Sequence, residues 1–199
     1  MSKILNIAAG KLFPLSDVMP ENKNTFLVQL DRMYSFSSNS VELECESDKF
    51  DSCYNNMNQI YYMNSDAIEF MELCRVTFDI ITIYRYLEHI PFTNVLYFIY
   101  LLSTSLRDGG LVDIIVPDYK ILAQKLLNED VDNSNFERDN ILITTEMLNE
   151  PGCPHASIWT SDRLKKFFEL EGRFKTTMVK ENFNFDGRDI YIRYQAVKF

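Results

Sequence analysis

The residues able to do chemistry lie at the ends of apolar runs. The chain opens with Lys3-Ile4-Leu5-Asn6-Ile7-Ala8, a short apolar strand that runs into Ala9-Gly10-Lys11. A strand ending in small residues lets main chain approach a ligand closely. A second run, Phe26-Leu27-Val28-Gln29-Leu30, carries Asp31 at its carboxyl end. An acid there, roughly twenty residues beyond such a turn, can accept hydrogen bonds from ribose hydroxyls. A solvated strand-end aspartate has the same spacing, so both readings stay open. Asn64-Ser65-Asp66 follows a third run, Ile60-Tyr61-Tyr62-Met63. Asp66 reads as a helix cap or as a ligand contact at a strand end, and the cap is the more ordinary. The four cysteines show no CxxC spacing and there are only two histidines, His89 and His155. Reduced thiols are expected, with no zinc site and no His-rich metal centre.

These positions need a sheet to hold them, and residues 78–119 supply its centre. Phe78-Asp79-Ile80-Ile81-Thr82-Ile83-Tyr84 has the β-branched content of a strand buried on both faces, as in a parallel sheet. Val95, Phe98, Ile99, Leu102 and Leu106 then fall on one face of a helix expected to start at a Thr93 cap. Arg107-Asp108-Gly109-Gly110 is expected to stop it, because glycine accepts the left-handed backbone of a C-cap. A second buried strand, 111–116, closes at Pro117. Strand, helix and parallel strand make a βαβ unit with a right-handed crossover. Ligands of open α/β sheets sit beyond the carboxyl ends of such strands, so the segments after Ile83 and after Val116 are where chemistry is expected.

The remainder fits around that unit. Residues 35–58 read as a connection. A helix from Asp66 sets Ala67, Phe70, Met71 and Cys74 inward, and 119–127 is helical through Ile121, Leu122, Leu126 and Leu127. An acidic, Asn-rich loop spans 128–140, and Pro151-Gly152-Cys153-Pro154-His155 is a turn cluster. Thr160 or Ser161 caps a helix through Leu170, with Leu164, Phe167 and Phe168 inward and Gly172 as its stop. Two strands, 174–183 and 189–197, form a closing hairpin around Asn184-Phe185-Asp186-Gly187-Arg188. The 199 residues read as one domain, 1–199, and 46% hydrophobic content makes it globular. A formal net charge of −9 argues against gripping nucleic acid through its phosphates. No apolar run reaches the length of a membrane span, and a strand starting near Lys3 leaves no room for a signal peptide, so a cytoplasmic protein without membrane partners is expected.

The order of elements and several short strings together resemble a class I S-adenosylmethionine-dependent methyltransferase, in its branch of small glycan- and metabolite-type enzymes. The resemblance covers nearly the whole chain. The family's first strand and turn fall on Leu5-Asn6-Ile7-Ala8-Ala9-Gly10, with Ala8 in place of the first glycine. Its acids after strands two and three fall on Asp31 and Asp66. Its string around strand four falls on 79–90, with Leu87-Glu88-His89-Ile90-Pro91 intact. The turn before strand five falls on Leu106-Arg107-Asp108-Gly109-Gly110, where Asp108 replaces a proline, and Val116-Pro117-Asp118 follows. His155 and Trp159-Thr160 match the segment before the last helix.

That resemblance implies a Rossmann-like fold: a mostly parallel seven-stranded sheet with an antiparallel C-terminal strand and helices on both faces. It implies S-adenosylmethionine as cofactor and a small-molecule or glycan acceptor. It puts Asn6, Ala8, Ala9 and Gly10 under the methionine moiety, Asp31 at the ribose, Ser65 and Asp66 at the adenine, and Tyr84-Arg85 beside the methyl-donor centre. His89, His155 and Asp118 are its candidates for a base or an acceptor-positioning group, and Tyr119 for the acceptor pocket wall. DNA amino-methylating enzymes are set aside, because Tyr84-Arg85-Tyr86-Leu87 lacks their prolines. Cytosine C5 enzymes are set aside because Gly152-Cys153-Pro154 has the wrong place and order. A nicotinamide dehydrogenase is set aside because the first turn lacks GxGxxG. A second reading comes from Ala8 and from a composition rich in Asn, Tyr and Phe: a catalytically silent protein of this fold, serving as a binding or structural module in a phage or viral assembly.

Overall fold

Seven strands form one sheet in the computed structural model, which describes residues 2–7, 25–30, 60–63, 66–128, 155–185 and 187–199. In chain order the elements are β1 (Ser2–Ile7), β2 (Thr25–Leu30), β3 (Ile60–Met63), α1 (Ala67–Leu73), β4 (Phe78–Tyr84), α2 (Phe92–Ser105), β5 (Leu106–Pro117), α3 (Tyr119–Leu127), α4 (Ser161–Glu171), β6 (Phe174–Phe185) and β7 (Arg188–Lys198). A 3-10 turn, Leu87–His89, joins β4 to α2. The strand order is β3-β2-β1-β4-β5-β7-β6. The first five strands pair in parallel, and β7 runs antiparallel between β5 and β6.

Alternation along the central strands sorts their side chains between two faces. Leu5, Ile7, Ile81, Ile83, Val112, Ile114, Val116, Ile192 and Tyr194 pack against α1, α2 and α4 through Phe70, Phe98, Leu102, Leu164 and Phe168. The opposite face carries Tyr84, Ile115 and Tyr191 under Leu122 of α3. Helices therefore lie on both faces. The second face is the more polar. Thr82 Oγ1 donates to Asn6 Oδ1 at 2.8 Å, and Arg193 grips Asp113 with Nε at 3.1 Å and Nη2 at 2.7 Å. The Tyr84 hydroxyl donates to the same carboxylate at 3.3 Å.

The helix boundaries at 66 and 160 fall where the capping residues are. Asp66 accepts from Ile68 N and Glu69 N, Thr160 accepts from Arg163 N, and Gly172 ends α4 at φ 84. Two expectations change. Thr93 does not cap α2: Pro91 holds that position with extended backbone, because the chain enters the helix directly from the preceding turn. Nor do the glycines end α2. The helix stops at Ser105, and Leu106, fully buried, already pairs with Phe78 in β5. Gly109 and Gly110 sit in a bulge of that strand. Pairing advances from Phe78 to Ile80 on β4 while β5 advances from Leu106 to Leu111. Gly109 takes φ 75, and a Cβ at Gly110 would lie 2.8 Å from the Arg107 carbonyl oxygen and 3.2 Å from that of Asp79. Both glycines are required, but by a strand.

Candidate functional site

The carboxyl ends of the parallel strands are level. Ile7 is in register with Leu30 on one side and with Ile83 on the other, Leu30 with Met63, and Tyr84 with Ile115. From β1 the chain adds β2 and β3 outward, then returns so that β4 pairs on the other side of β1. Strand order therefore reverses between β1 and β4. At such a point the connections diverge to opposite sides and leave a crevice beyond the strand ends. Asn6 stands one residue short of this rim. It is fully buried, and its Nδ2 has no hydrogen-bond partner among the described residues. Ala8, Ala9, Gly10, Asp31 and Ser65, expected around the same rim, lie outside the described residues.

The chain leaves β4 sharply. Arg85 adopts φ 56, an uncommon value for a non-glycine residue, and its N–H donates to Ile115 O at 2.8 Å. Tyr84 is buried against Phe185, with its hydroxyl committed to Asp113, so its side chain belongs to the sheet's packing and only its main chain reaches the rim. The Leu87–His89 turn then carries Glu88 inward. Glu88 is completely buried, and neither carboxylate oxygen has a hydrogen-bond partner among the described residues.

A segment far along the chain closes over this turn. Ala156 N and Ser157 N both donate to Glu88 O, at 2.7 and 2.9 Å, and Ser157 Oγ donates to Leu87 O at 3.0 Å. Trp159, fully buried, donates its indole N–H to Ser157 Oγ at 2.9 Å. The result brings His155 onto His89, ring centroids 4.8 Å apart and nearly perpendicular. His155 Nδ1 shares a hydrogen bond with the Tyr119 hydroxyl at 2.5 Å. Glu88, His89 and His155 each offer one ligating atom, all within 4.8 Å of one another.

Burial governs the electrostatics. It pushes the Glu88 carboxyl up to about 7, against its own backbone N–H and Arg85, which lower it. It pushes His155 down to about 3, helped by the neighbouring His89 and by Arg85, so this imidazole is neutral over the physiological range. It also raises the Tyr119 phenol, helped by the charge of Glu88.

Of the sequence-derived candidates, the fold joins His89 to His155 and adds Tyr119. Asp118 is buried in another role: its carboxylate accepts from Lys120 N at 3.0 Å, and its own N–H donates to Ile190 O. Burial, and next the Glu181 charge, raise its carboxyl against the Lys120 N–H. Asp66 caps α1, while the Tyr86 hydroxyl reaches its second oxygen at 3.5 Å. Glu88 was not singled out from the sequence. Its only signal there is its place inside Leu87-Glu88-His89.

No protein-family model matches the chain, and no curated protein sequence is similar to it. Its fold does have counterparts. It is similar to the N-methyltransferase NodS from Bradyrhizobium japonicum WM9, with 12% identity and a TM-score of 0.57 over 99% of this chain and 85% of that one. It is similar to the 1,6-didemethyltoxoflavin-N1-methyltransferase of Burkholderia thailandensis, crystallised with 1,6-didemethyltoxoflavin and S-adenosylhomocysteine (13% identity, TM-score 0.58, 99% and 71% covered). It is also similar to the magnesium protoporphyrin IX methyltransferase ChlM of Synechocystis PCC 6803 with bound S-adenosylhomocysteine (13%, 0.58, 100% and 74%). At these identities the likeness is one of fold, and the fold is that of the class I methyltransferases.

Proposed function

We propose that this protein is an S-adenosylmethionine-dependent methyltransferase acting on a small organic acceptor. The observation that carries the reading is the level rim at the strand-order reversal between β1 and β4, with Asn6 Nδ2, which has no hydrogen-bond partner among the described residues, beside it. A nucleoside-bearing cofactor lying across that reversal would meet Ala8, Ala9 and Gly10 at its methionine end and Asp31 at its ribose. Ser65 and Asp66 would meet its adenine, and the main chain at Tyr84-Arg85 would flank its centre. When bound, S-adenosylmethionine supplies a methyl group already activated on a sulfonium sulfur, so transfer is a single displacement. The protein's work is then to orient the acceptor, exclude water and take up its proton. His89 and His155 are the acceptor-side pair, with Asp118 the third candidate at the end of β5. His155, held neutral by burial, can receive a hydrogen bond from an acceptor hydroxyl or amine without first losing a proton of its own.

Among the described residues no helix is long and apolar enough to cross a membrane. The competing reading, a silent scaffold of the same fold, rests on Ala8 and on composition alone. Calorimetric titration with S-adenosylmethionine and S-adenosylhomocysteine separates the two. Binding is expected for both, and Asp31→Ala should weaken it. An absence of heat at millimolar ligand overturns the enzymatic reading, and an unchanged affinity in Asp31→Ala overturns the ribose assignment.

A further inference from the structure

We infer that Glu88, His89 and His155 form a binding site for one divalent transition-metal ion, on the acceptor side of the proposed cofactor crevice. Three observations converge. First, the ligating atoms of one carboxylate and two imidazoles stand within 4.8 Å of one another. Ligand atoms at about 2.1 Å from a common tetrahedral ion are about 3.4 Å apart. The widest pair must therefore close by about 1.4 Å, which side-chain torsions can supply. Second, Glu88 is fully buried with both carboxylate oxygens unpartnered among the described residues. A carboxylate taken out of water with little more than its own backbone N–H beside it is costly, and a bound cation can repay that cost. Third, the ligands are supported from behind. If His155 ligates through Nε2, its Nδ1–H is left to donate to the Tyr119 oxygen 2.5 Å away, the arrangement in which metal-bound histidines are usually held.

The donor set also names the class of ion. Two nitrogens and one oxygen suit zinc, cobalt, manganese or ferrous iron better than magnesium or calcium, which prefer oxygen throughout. Arg85 is the opposing group. Its charge favours the Glu88 carboxylate but repels a cation, so affinity should fall short of that of a dedicated structural zinc site. Three protein ligands leave coordination positions open. An acceptor hydroxyl or amine in one of them would lose its proton more readily. The metal site itself stands apart from that role, which rests on the methyltransferase reading.

The test uses the full-length, tag-free, metal-stripped protein titrated with Co2+ and followed by visible absorption. The chain has only two histidines, so imidazole ligation can come from nowhere else. One equivalent should bind with the visible bands of nitrogen–oxygen ligation, and Zn2+ should displace it. Glu88→Gln and His155→Asn should each weaken binding by roughly tenfold or more. Circular dichroism and the thermal midpoint establish that each variant is folded, and His89→Asn stands in for either that is not. Three results overturn the site: no uptake, uptake unchanged in all folded variants, or thiolate charge-transfer bands in the near ultraviolet, which would put the ion on cysteine. S-adenosylhomocysteine is titrated into the same preparation. Metal uptake without nucleoside binding overturns the methyltransferase reading and keeps the metal site; nucleoside binding without metal uptake does the reverse.

Discussion

The contact between Asp113 and Arg193 makes a sharp prediction because its two ends are buried to different depths. Asp113 is 3% exposed, whereas the Arg193 side chain is 25% exposed and also lies over the Phe183 ring. The carboxylate takes two donors from Arg193 and a third from Tyr84. Arg193→Met therefore strands a charge that water cannot reach, with only a phenol for company. Breaking one side of a buried pair in this way costs about 3–5 kcal/mol. Asp113→Ala takes the carboxylate from the guanidinium instead. A quarter-exposed guanidinium rehydrates in part, so the cost should be about 2 kcal/mol, including the Tyr84 hydroxyl left without its acceptor. Replacing both ends with apolar groups, Asp113→Leu with Arg193→Met, should return most of the loss, because such swaps are often neutral or better. Urea unfolding at neutral pH reads all three variants. Trp159 is the chain's single tryptophan and is fully buried, so its fluorescence is a direct probe. With a slope of about 2 kcal/mol per molar, Arg193→Met should lower the midpoint by about 2 M. The reasoning fails if Asp113→Ala proves the more damaging, or if the double variant loses the sum of the single ones. Because Tyr84 is the last residue of β4, Arg193→Met should also weaken S-adenosylhomocysteine binding.

Other outcomes follow from single contacts. Gly110→Ala should cost about 1–3 kcal/mol, since its Cβ would press on two carbonyl oxygens; a thermal midpoint within a degree of the parent would show that the bulge can yield. Asp66→Ser should keep the α1 cap and hence stability, whereas Asp66→Ala should lose about 1 kcal/mol; if the carboxylate also meets adenine, both should bind S-adenosylhomocysteine more weakly. The Asp79 carboxyl is raised by its partial burial but lowered more by the Lys3 N–H and Arg107, for a net shift below its ordinary value. An acid with a lowered folded pKa contributes stability that is complete above the unfolded value, near 3.8, and is lost as pH falls through the folded one. Asp79→Asn should therefore be less stable than the parent at neutral pH and equal to it at the acid extreme; parallel acid-unfolding curves would contradict this.

How far the sequence reveals this molecule depends on the range of the interaction concerned. The central strands are legible because Ile80, Ile81, Ile83, Ile114, Ile115 and Val116 stand in short β-branched runs apolar on both faces, and the helix ends because Asp66, Thr160 and Gly172 act within a few residues of themselves. The glycine pair misleads for the same reason. Gly109 suits a helix terminus locally, and only the pairing of Leu106 with Phe78 from β4 decides that the strand has already begun. The site divides similarly. His89 and His155 could be named one by one, but not as neighbours. Glu88 was hidden by the general tendency of glutamate to stay in solvent, and its burial is imposed by a segment from much later in the chain. Tyr84 shows the converse. It stands where a strand-end candidate should, and the fold uses its side chain in its own hydrogen bonding.

The main-chain oxygen of Glu88 carries two donors from residues 156 and 157, and the serine hydroxyl that reaches Leu87 spans 70 positions. Such a long closure cannot form until the intervening sheet exists, so the histidine pair should be assembled among the last events of folding. A chain that has collapsed but not yet latched this strap would own every strand of the molecule without its paired histidines. Protection of the Ala156 and Ser157 amides from hydrogen exchange is thus a direct clock for the moment at which His155 meets His89.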